Sequence, residues 1–294
     1  MMNYEKFKEE VLKEVTAKIN DPDVSTCIIS CQKNNNLILH GIQINKKDLN
    51  ISPVIYLEGH YKDYCSGKSL EQVSMNIINI YRKNMPVLNI DTEAFFDYGS
   101  AKYRIVPRLI NTKQNKERLS QLSHIDFLDL SIVFAYIMDT LHSDGMATAL
   151  VTESMRQSWG VSADELYETA LKNMMRLLPP KVTSMGSLIG YPGTDIPLYI
   201  LSNDTCIGGA ASILLDDVLK DISRRFNCGF YILPSSIHEV LLLPEIYTDP
   251  DKIHDETMEE LKEMVNSVNS EVDQEEILSD HAYYYDMKTG KITM

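Results

Sequence analysis

The sequence predicts an α+β protein in which small antiparallel sheets pack against helices. Three observations carry this expectation. Runs rich in β-branched and aromatic residues cluster at 25–32, 37–45 and 51–58, and again at 131–138 and 146–153, joined by short polar turns. Segments between the clusters place apolar residues three and four positions apart, the period of an amphipathic helix. The chain of 294 residues is 44% apolar and 24% charged, enough apolar side chains for a real core.

Taken in order, Phe7, Val11, Leu12 and Val15 mark one face of an opening helix whose other face is charged. Three strands follow as a meander, with Pro53 suiting an edge or a strand start. A helix over 69–83 completes an α-β-β-β-α unit spanning residues 1–90. Residues 91–128 read as a helical connector interrupted at Pro107, with a Lys-, Arg- and Gln-rich polar face. A second sheet-and-helix unit spans 129–250: a hairpin around the turn SDG, a helix over 162–177, a strand at 198–202, a helix over 210–226 and a hairpin at 230–243. The Pro- and Gly-rich stretch 179–197 reads as an irregular connector or a flap. An acidic helix over 251–268 and a short terminal hairpin occupy 251–294.

Two places share local chemistry. GKSLEQV at 67–73 and GVSADEL at 160–166 both read Gly-x-Ser-x-x-Gln/Glu, a capping box that satisfies free backbone N–H groups at a helix start. Each follows a β-like run ending in Glu58 or Glu153. Either the strand-loop-helix unit is duplicated, or two helices use the same favourable cap.

Charge narrows the function classes. The net charge is −14, and residues 245–294 alone hold 14 Asp and Glu against 4 Lys. Direct nucleic-acid binding is disfavoured, because it depends on Lys and Arg displacing counterions from phosphate; an anionic membrane surface is disfavoured for the same reason. The charged opening segment lacks the pattern of a secretory leader, and no long apolar run occurs, so the reading is a cytoplasmic protein without a membrane span. Five scattered cysteines fit reduced thiols better than a disulfide framework.

No stretch carries a full catalytic or cofactor signature. PSSIHE crowds Ser235, Ser236, His238 and Glu239 together, yet working triads gather from separate elements, so turn and hydrogen-bonding roles are expected. His238-Glu239 begins like a zinc-protease helix but lacks a second His four residues on, and the other histidines are isolated, so no metal and no cofactor are expected. SNDTCIGGAAS at 202–212 has the order strand, Gly pair, helix, which could face an anion, but it matches neither phosphate-loop fingerprint. Trp159, the sole tryptophan, sits with Arg156 at a helix entry and reads as a core residue or a contact anchor. Binding candidates are therefore Trp159, Arg156, Ser235, Ser236 and His238, with no catalytic residue assigned. The acidic C-terminal face suits solvent or a protein partner with a basic surface.

Several phrases together, NYEKFKEEV, NISPVIYLE, RLSQLSHIDFLDLSIVFAYIM, WGVSADELYETALKN, FYILPSSIHEVLLLPE and ILSDHAYYYD, resemble a bacterial family of gut Firmicutes catalogued as domain of unknown function 5688. Through its Trp-Gly-x-x-x-x-x-Leu phrase the chain is more distantly similar to family 1444. The resemblance implies a shared fold and a bacterial cytosolic setting, and brings no activity or site residue. The expectation is a non-enzymatic binding or interaction protein. The alternative is an enzyme for a small or nucleotide-like ligand with a site gathered from distant residues.

Overall fold

The computed structural model describes residues 1–47, 49, 52–83, 92–141, 145–188, 197–234 and 236–294. Its contacts divide into two compact units, residues 1–33 with 37–91, and residues 34–36 with 92–294. The fold is α+β, with antiparallel sheets in both units.

In the first unit, helix α1 (Tyr4–Ile19) starts where Asn3 accepts the Lys6 N–H, and its Phe7, Val11 and Val15 are fully buried. Strands β1 (Val24–Gln32), β2 (Ile38–Lys46) and β3 (Val54–Tyr56) form the expected meander, in the order β1-β2-β3. β3 is an edge strand and begins just after Pro53, where the missing N–H costs no ladder bond. Helices α2 (Glu58–Cys65) and α3 (Leu70–Lys83) follow. The capping box forms at α3: Ser69 Oγ accepts the Gln72 N–H (3.2 Å) and Gln72 Oε1 accepts the Ser69 N–H (2.9 Å). Val73, Ile77 and Ile78 of α3 meet Ile42, Ile44 and Leu57 in this unit's core.

The second unit opens with two short helices, α4 (Thr92–Phe96) and α5 (Tyr98–Ala101), and strand β4 (Ile105–Asn111). A helical connector was expected over this stretch, and β4 corrects that reading. Pro107 is tolerated because β4 lies at a sheet edge, and the nearly continuous apolar run around it is a strand buried on both faces. After α6 (Lys116–Leu119) come β5 (His124–Phe127), β6 (Leu130–Leu141) and β7 (Gly145–Leu150); β6 pairs with β4 along one side and with β5 and β7 along the other. The tip of the β6–β7 hairpin lies outside the described residues.

Helices α7 (Glu153–Trp159) and α8 (Ala163–Leu177) follow, with Ser162 capping α8 by accepting the Glu165 N–H. The echo is thus longer than the sequence suggests. Glu58 and Glu153 do not end strands but begin short helices, each followed by a glycine at positive φ, Gly67 (105°) or Gly160 (70°), then a capping serine and a long helix.

The 179–197 stretch, expected to be irregular, forms β8 (Pro180–Ser184) and α9 (Met185–Leu188); residues 189–196 lie outside the described residues. Pro180 heads the outermost strand, where a proline is harmless. Next are β9 (Tyr199–Asn203), a 3₁₀ turn over Gly209–Leu214, α10 (Asp216–Phe226), β10 (Phe230–Leu233), β11 (Val240–Pro244), α11 (His254–Asn269), β12 (Tyr283–Asp286) and β13 (Lys291–Thr293). The single helix expected over 210–226 is broken at Leu215, which is extended. The second sheet runs β13-β12-β10-β11-β9-β8.

Strand alternation sets both faces of this sheet. Phe230 and Ile232 point into the main core with Phe134, Leu166 and Ile222, whereas Tyr231 and Leu233 meet Leu261 and Val265 of α11. On α11 and its approach, Leu261 and Val265 are buried, whereas Ile253, Met264 and Val268 are exposed.

Candidate functional site

The loop after β9 and the turn before β11, separate motifs in the sequence, meet in the second unit. Asn203 Oδ1 accepts from the Thr205 N–H (3.0 Å) and hydroxyl (2.8 Å), and its Nδ2 donates to the Ile207 carbonyl (2.9 Å), so one side chain shapes the loop. Gly209 is pressed against the neighbouring turn: a Cβ there would lie 2.2 Å from Ser202 Oγ and 2.5 Å from the His238 carbonyl oxygen. Ser202 Oγ donates to that same carbonyl (2.8 Å).

His238 is hydrogen-bonded at one ring nitrogen and faces a carboxylate with the other. Its Nδ1 accepts the Gly208 N–H (3.3 Å), so the ring proton sits on Nε2, which lies 3.7 Å from Glu276 Oε1. Glu276 is held in turn, since its carbonyl accepts the Ile237 N–H (2.8 Å). Asn34 and Asn35 brace the same segment: Asn34 Nδ2 donates to the Glu275 carbonyl, and Asn35 Nδ2 to those of Gln274 and Ile277. Asn35 has φ 56°, a left-handed conformation that asparagine tolerates.

Beside this loop lies Arg108 of β4. A Cβ on Gly208 would sit 3.5 Å from Arg108 Nε, an ordinary contact, so the loop runs beside the guanidinium and the glycine is required instead by its φ of 64°. Burial draws the Arg108 pKa below the ordinary guanidinium value, and the positive charge of Arg118 lowers it further. Burial acts on Arg118 in the same direction. Among the described residues neither guanidinium has an ion-pair or hydrogen-bond partner. Unpaired buried charge is expensive, and the chain has acidic residues to spare, 42 against 28 Lys and Arg. Sequence reading missed Arg108, Arg118 and Glu276. The available signal was a lone charge inside the apolar strand IVPRLIN.

The sequence candidates fall in different places. His238 and Ser236 belong to this site, but Ser236 Oγ accepts the His238 backbone N–H (3.0 Å) instead of facing the imidazole. Ser235 lies outside the described residues. Arg156 is paired with Glu153 and donates to the Val161 carbonyl, holding that carboxyl down at about 2 through its hydrogen bonds. Trp159 Nε1 donates to the Phe96 carbonyl (3.0 Å), and its ring packs on Tyr98.

A further polar cluster gathers Asp129, Asp280 and His281, with ligand-type atoms within 4.8 Å of one another. His281 is therefore less isolated than its sequence position implies. Both oxygens of Asp129 already accept short bonds, from Ser279 Oγ and Tyr283 OH (2.6 Å each), which makes Asp129 a hub tying the C-terminal segment to the β5–β6 turn. Among the described residues, no helix is long and apolar enough to cross a membrane, and the five cysteines are free thiols.

No curated protein and no solved structure matches the chain. The profile described as a family of unknown function, DUF5688, matches residues 4–287. Nearly the whole length being covered, the chain belongs to that family.

Proposed function

We propose that the protein is a non-enzymatic, cytoplasmic binding protein whose ligand presents a carboxylate or phosphate to Arg108 and Arg118. The observation that carries this reading is the pair of partly desolvated guanidiniums with no anionic partner among the described residues, in a chain of net charge −14. Guanidinium forks bind planar or tetrahedral oxyanions through paired charge-assisted hydrogen bonds, and desolvation strengthens such bonds. The loop at Gly208 lies directly beside Arg108.

Binding is favoured over catalysis by the state of His238. A general base needs a free ring nitrogen within reach of substrate, and here Nδ1 takes a backbone N–H while Nε2 faces Glu276. The imidazole therefore anchors the loop through the Gly208 N–H, beside the 274–277 segment.

The test is thermal melting with inorganic phosphate, pyrophosphate and citrate at constant ionic strength, against chloride. A specific anion at one hundred times its Kd stabilises by about 2.7 kcal/mol. Equal melting temperatures in all four salts would refute the reading.

A further inference from the structure

Independently of the anion site, the far face of the second sheet carries a surface cavity of about 330 Å³ whose lining has the opposite electrostatic character. Two rings line it, Tyr231 stacked with His254 (centroids 5.6 Å, 23°), and Tyr284 packs on this pair from outside the lining, edge-on to His254 (4.6 Å) and beside Tyr231 (5.1 Å). The Tyr231 hydroxyl lies 3.2 Å from His254 Nδ1. Burial, reinforced by Glu245, raises the Tyr231 pKa, so the phenol keeps its proton.

Two carboxylates, Glu245 and Asp249, share the lining. Glu245 Oε2 accepts the Tyr284 hydroxyl (2.9 Å), and Asp249, also in the lining, has one oxygen in a local turn to the Asp251 N–H. Among the described residues Lys252 is the one lysine or arginine lining the cavity, and it is already paired with Glu260. The N-terminus of α11 offers no net attraction to anions, because Asp255 and Glu256 occupy its first turn. Aromatic rings, two carboxylates and a compensated lysine in one lining favour a positively charged guest.

We infer that this cavity binds an alkylammonium or guanidinium group. The group is supplied either by a lysine or arginine side chain of a basic partner protein or by a free amine. The chemistry is shared, and the surrounding acidic surface of residues 245–294 would concentrate either source.

The experiment is an NMR titration of the full chain, following the Tyr231, Tyr284 and His254 ring resonances. The probes are a glycine-flanked lysine peptide, its acetyl-lysine counterpart and cadaverine. The lysine peptide is expected to move these resonances and the acetylated peptide to leave them unmoved, with at least tenfold weaker binding in the Glu245→Gln/Asp249→Asn variant. Should that variant misfold, Asp249→Asn alone, which disturbs only a local turn, is expected to weaken binding at least threefold. Tighter binding of the peptide than of cadaverine assigns the site to a protein side chain, and the reverse assigns it to a small amine. Unmoved rings with both cationic probes, or unchanged affinity in the variants, would overturn the inference.

Discussion

Replacing Arg108 by methionine separates stability from binding. In the unfolded chain the guanidinium is fully hydrated, whereas in the fold it lies among β4 and the 203–208 loop with no counter-charge among the described residues. An unpaired ion taken fully from water costs several kcal/mol, and methionine keeps much of the aliphatic stem. Because part of the side chain still reaches solvent, the expected gain for Arg108→Met is about 2 kcal/mol. For a unit of this size that raises the melting temperature by about 4–8 °C. With phosphate or pyrophosphate near saturation the order reverses: the native chain gains about 2.7 kcal/mol and the variant nothing. Differential scanning calorimetry, with and without the anion, reads both effects. A variant that melts lower than the native chain without anion, yet responds equally to it, would show that Arg108 is a packing residue.

Three further outcomes follow from the geometry. Gly209→Ala drives a methyl into Ser202 Oγ and the His238 carbonyl, and is expected to cost about 2–3 kcal/mol in a urea melt. Ser69→Ala removes half of the α3 capping box, for a loss of about 1 kcal/mol in the first unit's transition. Glu153 is held down at about 2 by Arg156 and Gln157, against an ordinary value of 4.5. A depressed carboxyl stabilises the fold above its unfolded pKa and loses that contribution as pH falls towards its folded one. Glu153→Gln should therefore flatten the acid limb of the stability curve between pH 4.5 and about 2, by about 0.5 kcal/mol because the pair is partly exposed. An unchanged acid limb would contradict this assignment.

The first unit was legible because its signals are local. Helix periodicity in 4–19, turn chemistry between the strands and the capping box at Ser69 each act within a few residues. The errors arose where tertiary position overrode local preference. Pro107 and Pro180 look like breakers in sequence, but each occupies a strand at a sheet edge, which no local rule reveals. Glu58 and Glu153 were read as strand ends because helices of seven or eight residues leave too short a period to detect. The candidate site was half legible: His238 and the 202–212 loop stood out separately, while their meeting depends on β9 lying beside β11. Arg108 and Arg118 matter only through missing partners, a property of three-dimensional surroundings that a single sequence does not display.

The placement of β12 bears on how the chain is made. Tyr283 and Tyr285 are among the largest fully enclosed side chains, and β12 is the strand that covers the free edge of β10. These residues emerge from the ribosome after every other strand of the sheet except β13. At translation speeds of about 5–20 residues per second, the nascent second unit waits with the β10 edge open and Phe230 missing its stacking partner Tyr285. Pairing of the β10 edge is thus gated by translation of residues 283–286, and a ribosome stalled before codon 283 would display an unpaired, aromatic strand edge to holding chaperones.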